Sequence, residues 1–533
     1  MKTTKYKVAK RSELSHNEMK LVEIGNTKVL LYRIQDAFFA TSPICPHYGA
    51  PLEEGIISDG RVICPWHHSA FDIESGDLLE PPSCDAIVSY EVQTVGNDVW
   101  VYIPKEANDR RLPSMTNRSE DQDGRTFVIV GAGAAGYASA QALREDGFKG
   151  RIVMVTAEKR APYDRPNLSK EYLQGEAPME WMPLRPDDFF DQYDIEILTD
   201  RLVQGVDSRK KTVSFENGDR LSFDKLLLAV GGRPRRLDVP GSDLDNVFTL
   251  RSFDDSDRII DAAKRNKRVV IVGGGFIGME AGFSLKKRDL DVTMVMNEEV
   301  PLQHVFGPDI GKLIQKHHER HGIQFKSGRT VREFTGDGTV SGVVLDNGQT
   351  IETDFVVVGV GIDPASDRIQ GVKFADDGSV LVDEFLMSEE NIYAAGDIAT
   401  FGDWRTSSNS RIEHWRTAEQ QGRIAAHNMM GRSIAYRSIP FFWTNQAELH
   451  LRYVGHAPQW DEIITHGKIK EANFISYFVK DDKLLAAVGI GRDKQLIAIE
   501  ELMRQERMPA PGEIRKEHPD MVALVHQTDA VVQ

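Results

Sequence analysis

Hydrophobic and polar positions along the chain follow two different patterns. In residues 1–105, short apolar runs alternate with turns rich in Gly, Asn and Asp, and the clearest runs are Lys28–Arg33, Val88–Val92 and Asp98–Ile103. Such runs predict a small all-β domain. From Thr126 onward, longer apolar runs lead into glycine turns and then into helical segments. This change predicts α/β units built on parallel strands.

The succession of strand, glycine turn and helix occurs twice. Phe127–Val130 leads into the first turn, and Arg268–Val272 leads into the second. Glycines let the backbone approach a pyrophosphate, and the N-terminus of the following helix favours its negative charge. Two such turns predict two dinucleotide sites, one for FAD and one for NAD(H), because a flavin enzyme needs a hydride source. The residues concerned are Gly131, Gly133, Ala134, Ala135 and Gly136 in the first turn, and Gly273, Gly275 and Gly278 in the second.

Later strands that end in glycine turns complete this pattern. They are Leu226–Val230, Phe355–Val358 and Asn391–Ala395, followed by turns that contain Gly231, Gly361 and Gly396. The carboxylate of Asp397 is expected to bind a ribityl hydroxyl of FAD. Glu158, which follows the strand Arg151–Val155, is a candidate for the ribose hydroxyls. The order of the segments predicts a FAD domain interrupted by an inserted NAD domain.

The pattern changes again after Pro440. Two strand-like runs, Phe474–Val479 and Lys483–Val488, precede the helical run Lys494–Met503, which together predict a small α+β domain. Residues 106–124 are charged and almost free of large apolar groups, which predicts a flexible linker. The predicted fold is multidomain: an all-β domain, two Rossmann-like α/β domains for FAD and NAD, and the small C-terminal α+β domain. The predicted boundaries are 1–105 for the all-β domain, 106–124 for the linker, 125–245 and 365–438 for the FAD domain, 246–364 for the NAD(H) domain, 439–515 for the C-terminal domain and 516–533 for a tail.

Composition narrows the class of protein. A chain of 533 residues is too long for a single core and predicts about three or four domains. Its net charge of −16 argues against nucleic-acid or anionic-membrane partners. Three cysteines make no disulfide framework, which implies a reducing compartment. No apolar run reaches the length of about 18 residues that a membrane span needs, and we expect a cytoplasmic protein.

Two short loops in the all-β domain carry metal-binding residue types. Cys45 and His47 form one pair, and Cys64 and His67 form the other. Such loops suit a [2Fe–2S] cluster in which two cysteines hold one iron and two histidines hold the other. A structural zinc site is the alternative, although its ligands usually stand as a cysteine pair and a histidine pair.

The two loops resemble those of the Rieske ferredoxin family, in its soluble ferredoxin-like branch. His68 stands where this family usually has glycine after the second histidine ligand. A side chain at that place could alter the backbone hydrogen bonds to cluster sulfur, which help to set the potential. We expect His68 to face solvent.

Residues 125 to about 510 resemble the FAD-dependent ferredoxin reductase and apoptosis-inducing-factor group of pyridine-nucleotide flavoproteins. Together with the N-terminal loops, the whole chain resembles the Rieske-bearing members of that group. The segments that carry the resemblance are Pro162–Leu173, Glu413–Trp415 with Ala418 and Gln421–Gly422, and Pro440–Gln446.

The resemblance implies roles for individual residues at the flavin. Arg165 and Pro166 are expected to wall the isoalloxazine, and Lys170 to lie near its N5 edge as a catalytic pair with Glu280. A cation there favours the anionic reduced flavin, and a carboxylate partner keeps the cation in place. An exposed position at a helix start is the alternative interpretation for Lys170. Packing in the core is the alternative interpretation for Trp415 and Trp443. Further implied cofactor contacts are Gly361, Gly396, Asp397, Glu413, His414, Trp415, Ala418 and Trp443.

Two departures from related patterns restrict the chemistry. No cysteine follows Cys84, which excludes the dithiol relay of disulfide reductases. After the strand Val292–Met296 the chain has Glu298 and Glu299 and no arginine. Two acids would repel a 2′-phosphate, so NADH is predicted in preference to NADPH.

The main functional hypothesis is an NADH-dependent flavoprotein oxidoreductase. It takes a hydride onto FAD and passes single electrons to its own Rieske cluster, whose histidines are expected to lie toward solvent. An external one-electron acceptor, either a protein such as an oxygenase or a small molecule, receives them. One alternative is direct reduction of an external ferredoxin or quinone by the flavin. A second alternative is an NADH-responsive signalling protein of the apoptosis-inducing-factor kind. The sequence leaves open whether the chain forms a homodimer.

Overall fold

Antiparallel sheets build the N-terminal part of the protein. The computed structural model describes residues 3–527. The strands of this part are β1 (Thr3–Lys10), β2 (Glu18–Ile24), β3 (Thr27–Ile34), β4 (Ala37–Thr41), β5 (Ile56–Ser58), β6 (Arg61–Ile63), β7 (Ala70–Asp72), β8 (Leu78–Glu80), β9 (Ala86–Ile87), β10 (Ser89–Val95), β11 (Asp98–Pro104) and β12 (Arg110–Arg111). Six of them form a sheet in the order β1-β11-β10-β4-β3-β2, and four form a second sheet in the order β5-β6-β7-β8.

Strand β3 supplies side chains to two cores. Successive side chains on a strand point to opposite faces. Leu30 and Tyr32 therefore join the core that contains Cys45 and Cys64. Leu31, between them, packs with the core of the six-stranded sheet. The ligand loops thus rest on a strand that is buried on both faces.

The next part begins with the first glycine turn. Its elements are β13 (Thr126–Val130), α1 (Ala134–Glu145), β14 (Arg151–Val155), α2 (Glu171–Gln174), α3 (Phe189–Gln192), β15 (Ile195–Leu198), β16 (Val203–Asp207), β17 (Thr212–Phe215), β18 (Arg220–Ser222), β19 (Lys225–Leu228) and β20 (Gly232–Pro234). The inserted part contains β21 (Val247–Thr249), α4 (Phe253–Arg265), β22 (Arg268–Val272), α5 (Phe276–Lys287), β23 (Asp291–Val295), α6 (Gln303–Phe306), α7 (Pro308–Arg320), β24 (Gln324–Lys326), β25 (Val331–Asp337), β26 (Thr339–Leu345), β27 (Thr350–Glu352), β28 (Phe355–Val358) and β29 (Ile362–Pro364).

The chain then returns to the first α/β sheet before it forms the C-terminal part. The returning elements are β30 (Ile369–Gln370), β31 (Val380–Leu381), β32 (Met387–Glu389), β33 (Ile392–Ala394), β34 (Ala399–Asp403), β35 (Ser408–Ser410) and α8 (Trp415–Met429). The C-terminal elements are β36 (Phe441–Gln446), β37 (Leu449–Gly455), β38 (Glu462–Lys468), β39 (Asn473–Lys480), β40 (Lys483–Ile490), α9 (Asp493–Arg504), α10 (Pro511–Lys516) and α11 (Met521–His526).

Two α/β sheets organise the centre of the molecule. The first has the order β15-β14-β13-β19-β33-β32, and its strands β13, β14, β15, β19 and β33 are parallel. Because β33 and β32 come from after the insertion, this sheet is built from two separate stretches of chain. The second sheet, β21-β28-β22-β23-β24, lies wholly within the insertion and is parallel throughout.

The C-terminal part is an antiparallel sheet with three helices. Its strand order is β36-β37-β40-β39-β38. The predicted hairpin and helix are present as β39, β40 and α9, each extending one or two residues further than the sequence runs. Helix α11 lies within the stretch predicted as a tail, and residues 528–533 lie outside the described residues. Within residues 3–527, no helix combines the length and the apolar character needed to cross a bilayer.

The linker is attached to the protein at several points. Arg110 and Arg111 pair with β9, so its beginning extends the N-terminal part. The amide of Thr116 donates to the carbonyl of Arg144 at 3.0 Å, and that of Ser119 donates to the carbonyl of Lys149 at 2.8 Å. Backbone hydrogen bonds therefore hold this polar segment along the surface of the second part.

Candidate active site

Three glycines of the first turn have different surroundings. Gly131 has a φ of 112°, and a Cβ there would collide with the carbonyl of Ala229. A Cβ at Gly136 would collide with the carbonyl of Gly131, whereas a Cβ at Gly133 would meet nothing within 4 Å. Gly131 and Gly136 therefore shape the turn, and Gly133 leaves open space at the N-terminus of α1.

A cavity of about 740 Å³ extends from this turn to the inserted part and to strand β36. A volume in this range suits a large organic cofactor. Gly273 in the second turn, and Gly136 and Gly278 at the starts of α1 and α5, do not line the cavity but allow close backbone packing behind it. The other predicted cofactor residues line the cavity: Gly131, Gly133, Ala134, Ala135, Glu158, Arg165, Pro166, Lys170, Gly275, Glu280, Gly361, Gly396, Asp397, Glu413, His414, Trp415, Ala418 and Trp443.

Lys170 and Glu280 form an ion pair beside the cavity. The ammonium of Lys170 donates to Glu280 Oε2 at 2.8 Å and to the carbonyl of Pro166 at 3.0 Å. Glu280 also accepts hydrogen bonds from Ser169 and Thr444, both at 2.7 Å. The side chains of Lys170 and Glu280 are only 15% and 4% exposed. Lys170 is therefore not an exposed residue at a helix start. The carboxylate of Glu280 fixes the position of its ammonium group.

The carboxylates predicted to meet sugar hydroxyls are paired with arginines. Arg165 Nη2 donates to Glu158 Oε1 at 2.7 Å, and Tyr163 donates to the other oxygen at 2.6 Å. Arg251 Nη2 donates to Asp397 Oδ2 at 2.8 Å. These contacts orient both carboxylates along the cavity wall while leaving lone pairs for further hydrogen bonds.

Helix α8 brings a cluster of predicted residues to the cavity. Close packing sets its position, because a Cβ at Gly422 would collide with the backbone of Ala135 on α1. Gln421 accepts the amide of Gly396 at 2.8 Å, which ties the helix to the turn after β33. Burial lowers the pKa of His414 to about 4, so its ring is neutral at pH 7. The N-terminus of α8 and Trp415 thus face the cavity as a polar and an aromatic surface.

The second glycine turn repeats the geometry of the first. Gly273 has a φ of 118°, and a Cβ there would collide with the carbonyl of Gly359, while a Cβ at Gly275 would meet nothing within 4 Å. Glu298 lies against this turn, since a Cβ at Gly274 would lie 3.1 Å from its Oε2. Burial raises the pKa of Glu298. An acidic side chain therefore lies beside the second glycine turn.

The two ligand loops of the N-terminal part bring Cys45 close to Cys64 and His47 close to His67. Cys45 and Cys64 are buried free thiols, and their amides donate to the carbonyls of Ala50 and Ser69, both at 2.9 Å. The Nδ1 atoms of His47 and His67 lie 3.0 Å apart. Burial lowers the pKa of His47 to about 3 and that of His67 well below its usual value. Both imidazoles are therefore neutral, the form that binds a metal, and two thiols with two imidazoles fit a [2Fe–2S] cluster.

The histidines of these loops face the cavity wall. The ring of His67 lies 4.3 Å from the ring of Trp443, and that of His47 lies 6.0 Å from it. Trp443 also lines the cavity. The expectation that both histidines lie toward solvent holds only in part, because both residues are half-buried and Trp443 packs against them. The ring of Tyr48, which is 44% exposed, stacks on His47 at 4.0 Å and forms the solvent-facing edge of this group.

His68 is fully buried, so the expectation that it faces solvent is wrong. Its Nδ1 shares a hydrogen bond with the carboxylate of Glu500 on α9. Its ring stacks on Phe441 of β36 at 3.9 Å. The C-terminal part therefore covers the side chain of His68, where solvent was expected.

Several residues of the site were not found from the sequence. Arg251 lies in a stretch that no motif marks, whereas Thr444 lies within the segment Pro440–Gln446, where only Trp443 was given a role. Arg251 and Thr444 are held against predicted residues only by the fold. Phe442 also lines the cavity. Its place in the aromatic run Phe441–Trp443, beside the predicted Trp443, was the signal in the sequence that could have identified it.

Comparison with protein families divides the chain in three. Residues 125–422, more than half of the chain, match the family described as pyridine nucleotide-disulphide oxidoreductase. Residues 4–91 match the Rieske [2Fe–2S] domain. Residues 441–525 match the family described as reductase C-terminal.

Individual proteins resemble the chain over most of its length. It is 36% identical to apoptosis-inducing factor 3 of Homo sapiens, covering 97% of this chain and 86% of that protein. It is 32% identical to the 3-phenylpropionate/cinnamic acid dioxygenase ferredoxin–NAD(+) reductase component of Photorhabdus laumondii, covering 73% of this chain and 98% of that protein. The crystal structure of the covalent putidaredoxin reductase–putidaredoxin complex matches with a TM-score of 0.71 and 27% identity, covering 76% of this chain and 100% of that one.

These matches confirm the predicted fold class and enzyme class. They also confirm the predicted cofactors, because an FAD- and NAD-dependent reductase and a Rieske domain are both present. The Rieske match decides between the two metal sites in favour of the iron–sulfur cluster. The chain belongs to the pyridine nucleotide-disulphide oxidoreductase family, as a ferredoxin-reductase-like member that carries its own Rieske [2Fe–2S] domain.

Proposed function

We propose that this protein is an NADH-dependent oxidoreductase whose first electron acceptor beyond FAD is its own Rieske cluster. The observation that carries this proposal is the position of Trp443. Its ring lines the cofactor cavity and lies 4.3 Å from His67, so a single aromatic side chain lies between the cavity and a cluster ligand.

Each cofactor has a set of residues suited to hold it. FAD would bind along the first glycine turn, with Gly133 facing its pyrophosphate and Asp397 facing its ribityl chain. NADH would bind at the second turn, with Gly275 facing the pyrophosphate and Glu298 facing the adenosine ribose. Cys45, His47, Cys64 and His67 would hold the cluster. FAD accepts a hydride and can release its two electrons singly, as a [2Fe–2S] cluster requires.

The protein's own groups prepare the cavity for this reaction. The Lys170 ammonium places a positive charge at the cavity wall, and Glu280, Ser169 and Thr444 keep that charge in one position. A fixed cation stabilises negative charge that develops beside it without reorganisation. Trp443 forms the cavity wall on the side of the ligand loops.

The route out of the protein is proposed to pass the exposed edge of Tyr48. This ring stacks on His47 with an angle of 12° between the planes and is 44% exposed. An external one-electron acceptor could approach a cluster ligand there, while the ring of His67 packs against Trp443. The names of relatives that are ferredoxin–NAD(+) reductase components of dioxygenase systems support a protein acceptor of this kind. A cytoplasmic location and the domain boundaries 1–105, 125–245 with 365–438, 246–364 and 439–515 are parts of the same proposal.

Anaerobic stopped-flow mixing with NADH tests the relay. Flavin absorbance should fall first, and the visible bands of the cluster should then bleach within the same protein molecule, at a rate independent of protein concentration. The Cys64→Ser variant, which removes a cluster ligand, should show only the flavin phase. Flavin reduction in the wild-type protein that leaves the cluster bands unchanged would contradict the proposal.

A second candidate function rests on the similarity to apoptosis-inducing factor 3 over 97% of the chain. In this case NADH binding would control assembly with a partner or a second copy, and turnover would be incidental. Light scattering with and without NADH distinguishes the two. A change of molecular mass on reduction, together with slow reoxidation by every one-electron acceptor, would favour this second function.

A further inference from the structure

The second ligand loop of the Rieske domain is held by three consecutive residues. The carbonyl of Trp66 accepts a hydrogen bond from Arg452 Nε at 2.9 Å. The next residue, His67, contacts the ring of Trp443, and His68 stacks on Phe441. All three partners belong to the neighbouring strands β36 and β37. One edge of the C-terminal sheet therefore sets the position of the loop.

His68 also joins an ionic network that connects three parts of the protein. Its ring bonds to Glu500 on α9, and the other oxygen of Glu500 accepts from Arg416 Nη1 on α8 at 2.7 Å. Arg416 in turn donates to the carbonyl of His68 at 3.2 Å and to that of Pro81 at 2.8 Å. His68, Glu500 and Arg416 are all buried, so water does not compete for these bonds.

The backbone at His68 favours glycine. Its φ is 60°, in the left-handed region, where a side chain costs free energy that glycine avoids. The ring found there fills a pocket on another part of the protein and makes a charge-assisted hydrogen bond. The backbone conformation at position 68 favours glycine, but the histidine side chain found there makes the contact between domains.

The surroundings of this network have the character of a permanent interface. Ile56, Ile63 and Ala70 of the Rieske domain share one buried core with Phe441 and the helix α9. Arg61 donates to Glu501 of α9 at 2.6 Å, with side chains 14% and 5% exposed. A shared apolar core is typical of obligate interfaces, and the charges beside it are paired.

We propose that His68, Glu500 and Arg416 form an interdomain latch that holds His67 against Trp443. The latch keeps the Rieske domain docked as a dedicated acceptor and closes the Trp443 side of the cavity to separate electron-transfer proteins. His68 is thus a positioning residue that acts through His67. This inference rests on the proposed relay from the cavity to the cluster.

The variant His68→Gly tests the latch with little risk to the Rieske fold, because glycine suits the backbone at that position. Gln35→Gly is the matched control: Gln35 also has a positive φ, of 53°, but its side chain is exposed. Hydrogen–deuterium exchange reports on docking, and stopped-flow reduction with NADH reports on flavin-to-cluster transfer. Loss of one charge-assisted hydrogen bond predicts exchange that is faster by about 10- to 150-fold in residues 61–70 and 441–446. Transfer in His68→Gly should also slow by about tenfold, while Gln35→Gly should match the wild type and both variants should keep the cluster's electron paramagnetic resonance signal.

The variant Glu500→Gln provides an independent test from the other side of the interface. Glu500 lies on α9, so its substitution leaves the ligand loops unchanged. The variant therefore still tests the latch if His68→Gly loses its cluster. Faster exchange in the same two segments of Glu500→Gln supports the latch. Wild-type exchange and wild-type transfer in either cluster-containing variant would overturn it. If wild-type protein itself passes no electrons to the cluster, the proposed function fails, while the exchange experiment still tests the latch.

Discussion

The substitution Gly275→Ala separates NADH binding from FAD binding. In the folded protein a Cβ at this position meets nothing within 4 Å, and φ is −81°, which alanine adopts without strain. The new methyl group would therefore project into the open space at the N-terminus of α5. In the proposed function, the pyrophosphate of NADH approaches the backbone in this space.

The size of the effect follows from the hydrogen bonds that the methyl group prevents. A hydrogen bond to a charged group contributes about 1.5–3 kcal/mol, and each 1.4 kcal/mol is about a tenfold change in affinity. Loss of one backbone bond to the pyrophosphate thus predicts NADH binding that is weaker by about 10- to 150-fold. The loss of fold stability should stay within about 1 kcal/mol, since only the N-cap preference for glycine over alanine is affected.

The assay is the KM for NADH in cytochrome c reduction, together with the flavin content of the purified protein. Gly275→Ala should raise KM and retain FAD, and Gly133→Ala, the equivalent change in the first turn, should instead lower the FAD content. Gly278→Ala is the contrasting control, because its Cβ would collide with the carbonyl of Gly273 and should lower thermal stability. A Gly275→Ala protein with the wild-type KM would refute the assignment of the second turn to NADH.

Three further changes test other parts of the site. Glu280→Gln leaves the Lys170 ammonium without its buried partner and should cost about 3–5 kcal/mol. In a double-mutant cycle with Lys170→Met, measured by urea denaturation, additive losses would show that the pair is not coupled. Glu419→Gln should raise the melting temperature at pH 8 more than at pH 5. Burial, and then Asp164, raises the pKa of Glu419 well above its usual value. The folded state therefore keeps a proton that the unfolded chain releases above about pH 4.5, and stability falls as pH rises from there towards the folded pKa. An equal effect at both pH values would contradict this. Cys64→Ser should abolish iron and sulfide binding and leave the flavin spectrum intact, and an iron content equal to that of the wild type would exclude Cys64 as a ligand.

Local sequence alone determined the cofactor loops. Cys45, His47, Cys64 and His67 are predicted as ligands from their spacing, because each loop must bring a thiol and an imidazole to one cluster within a few residues. The two glycine turns are found because a backbone that approaches a pyrophosphate needs glycine at positions set by the turn itself. In the structure, Gly131 and Gly273 both have φ values above 100°, which only glycine adopts readily.

Other parts of the site became visible only through resemblance. Lys170 and Glu280 stand 110 residues apart, and no periodicity connects them. The pairing of Glu158 with Arg165, and of Asp397 with Arg251, is likewise set by the packing of separate segments. A carboxylate can be recognised as a candidate from its place after a strand, but its partner cannot.

Only the tertiary structure decided how the Rieske domain meets the reductase. Sequence placed His47, His67 and His68 toward solvent, because an isolated domain exposes the tip that holds its cluster. The folded chain covers that tip with residues more than 370 positions away, Phe441, Trp443 and Glu500. Hydrophobic periodicity reports which face of an element is buried within its own domain. It does not report which of the remaining surfaces a second domain will cover, since that depends on shape and charge matched across the whole interface.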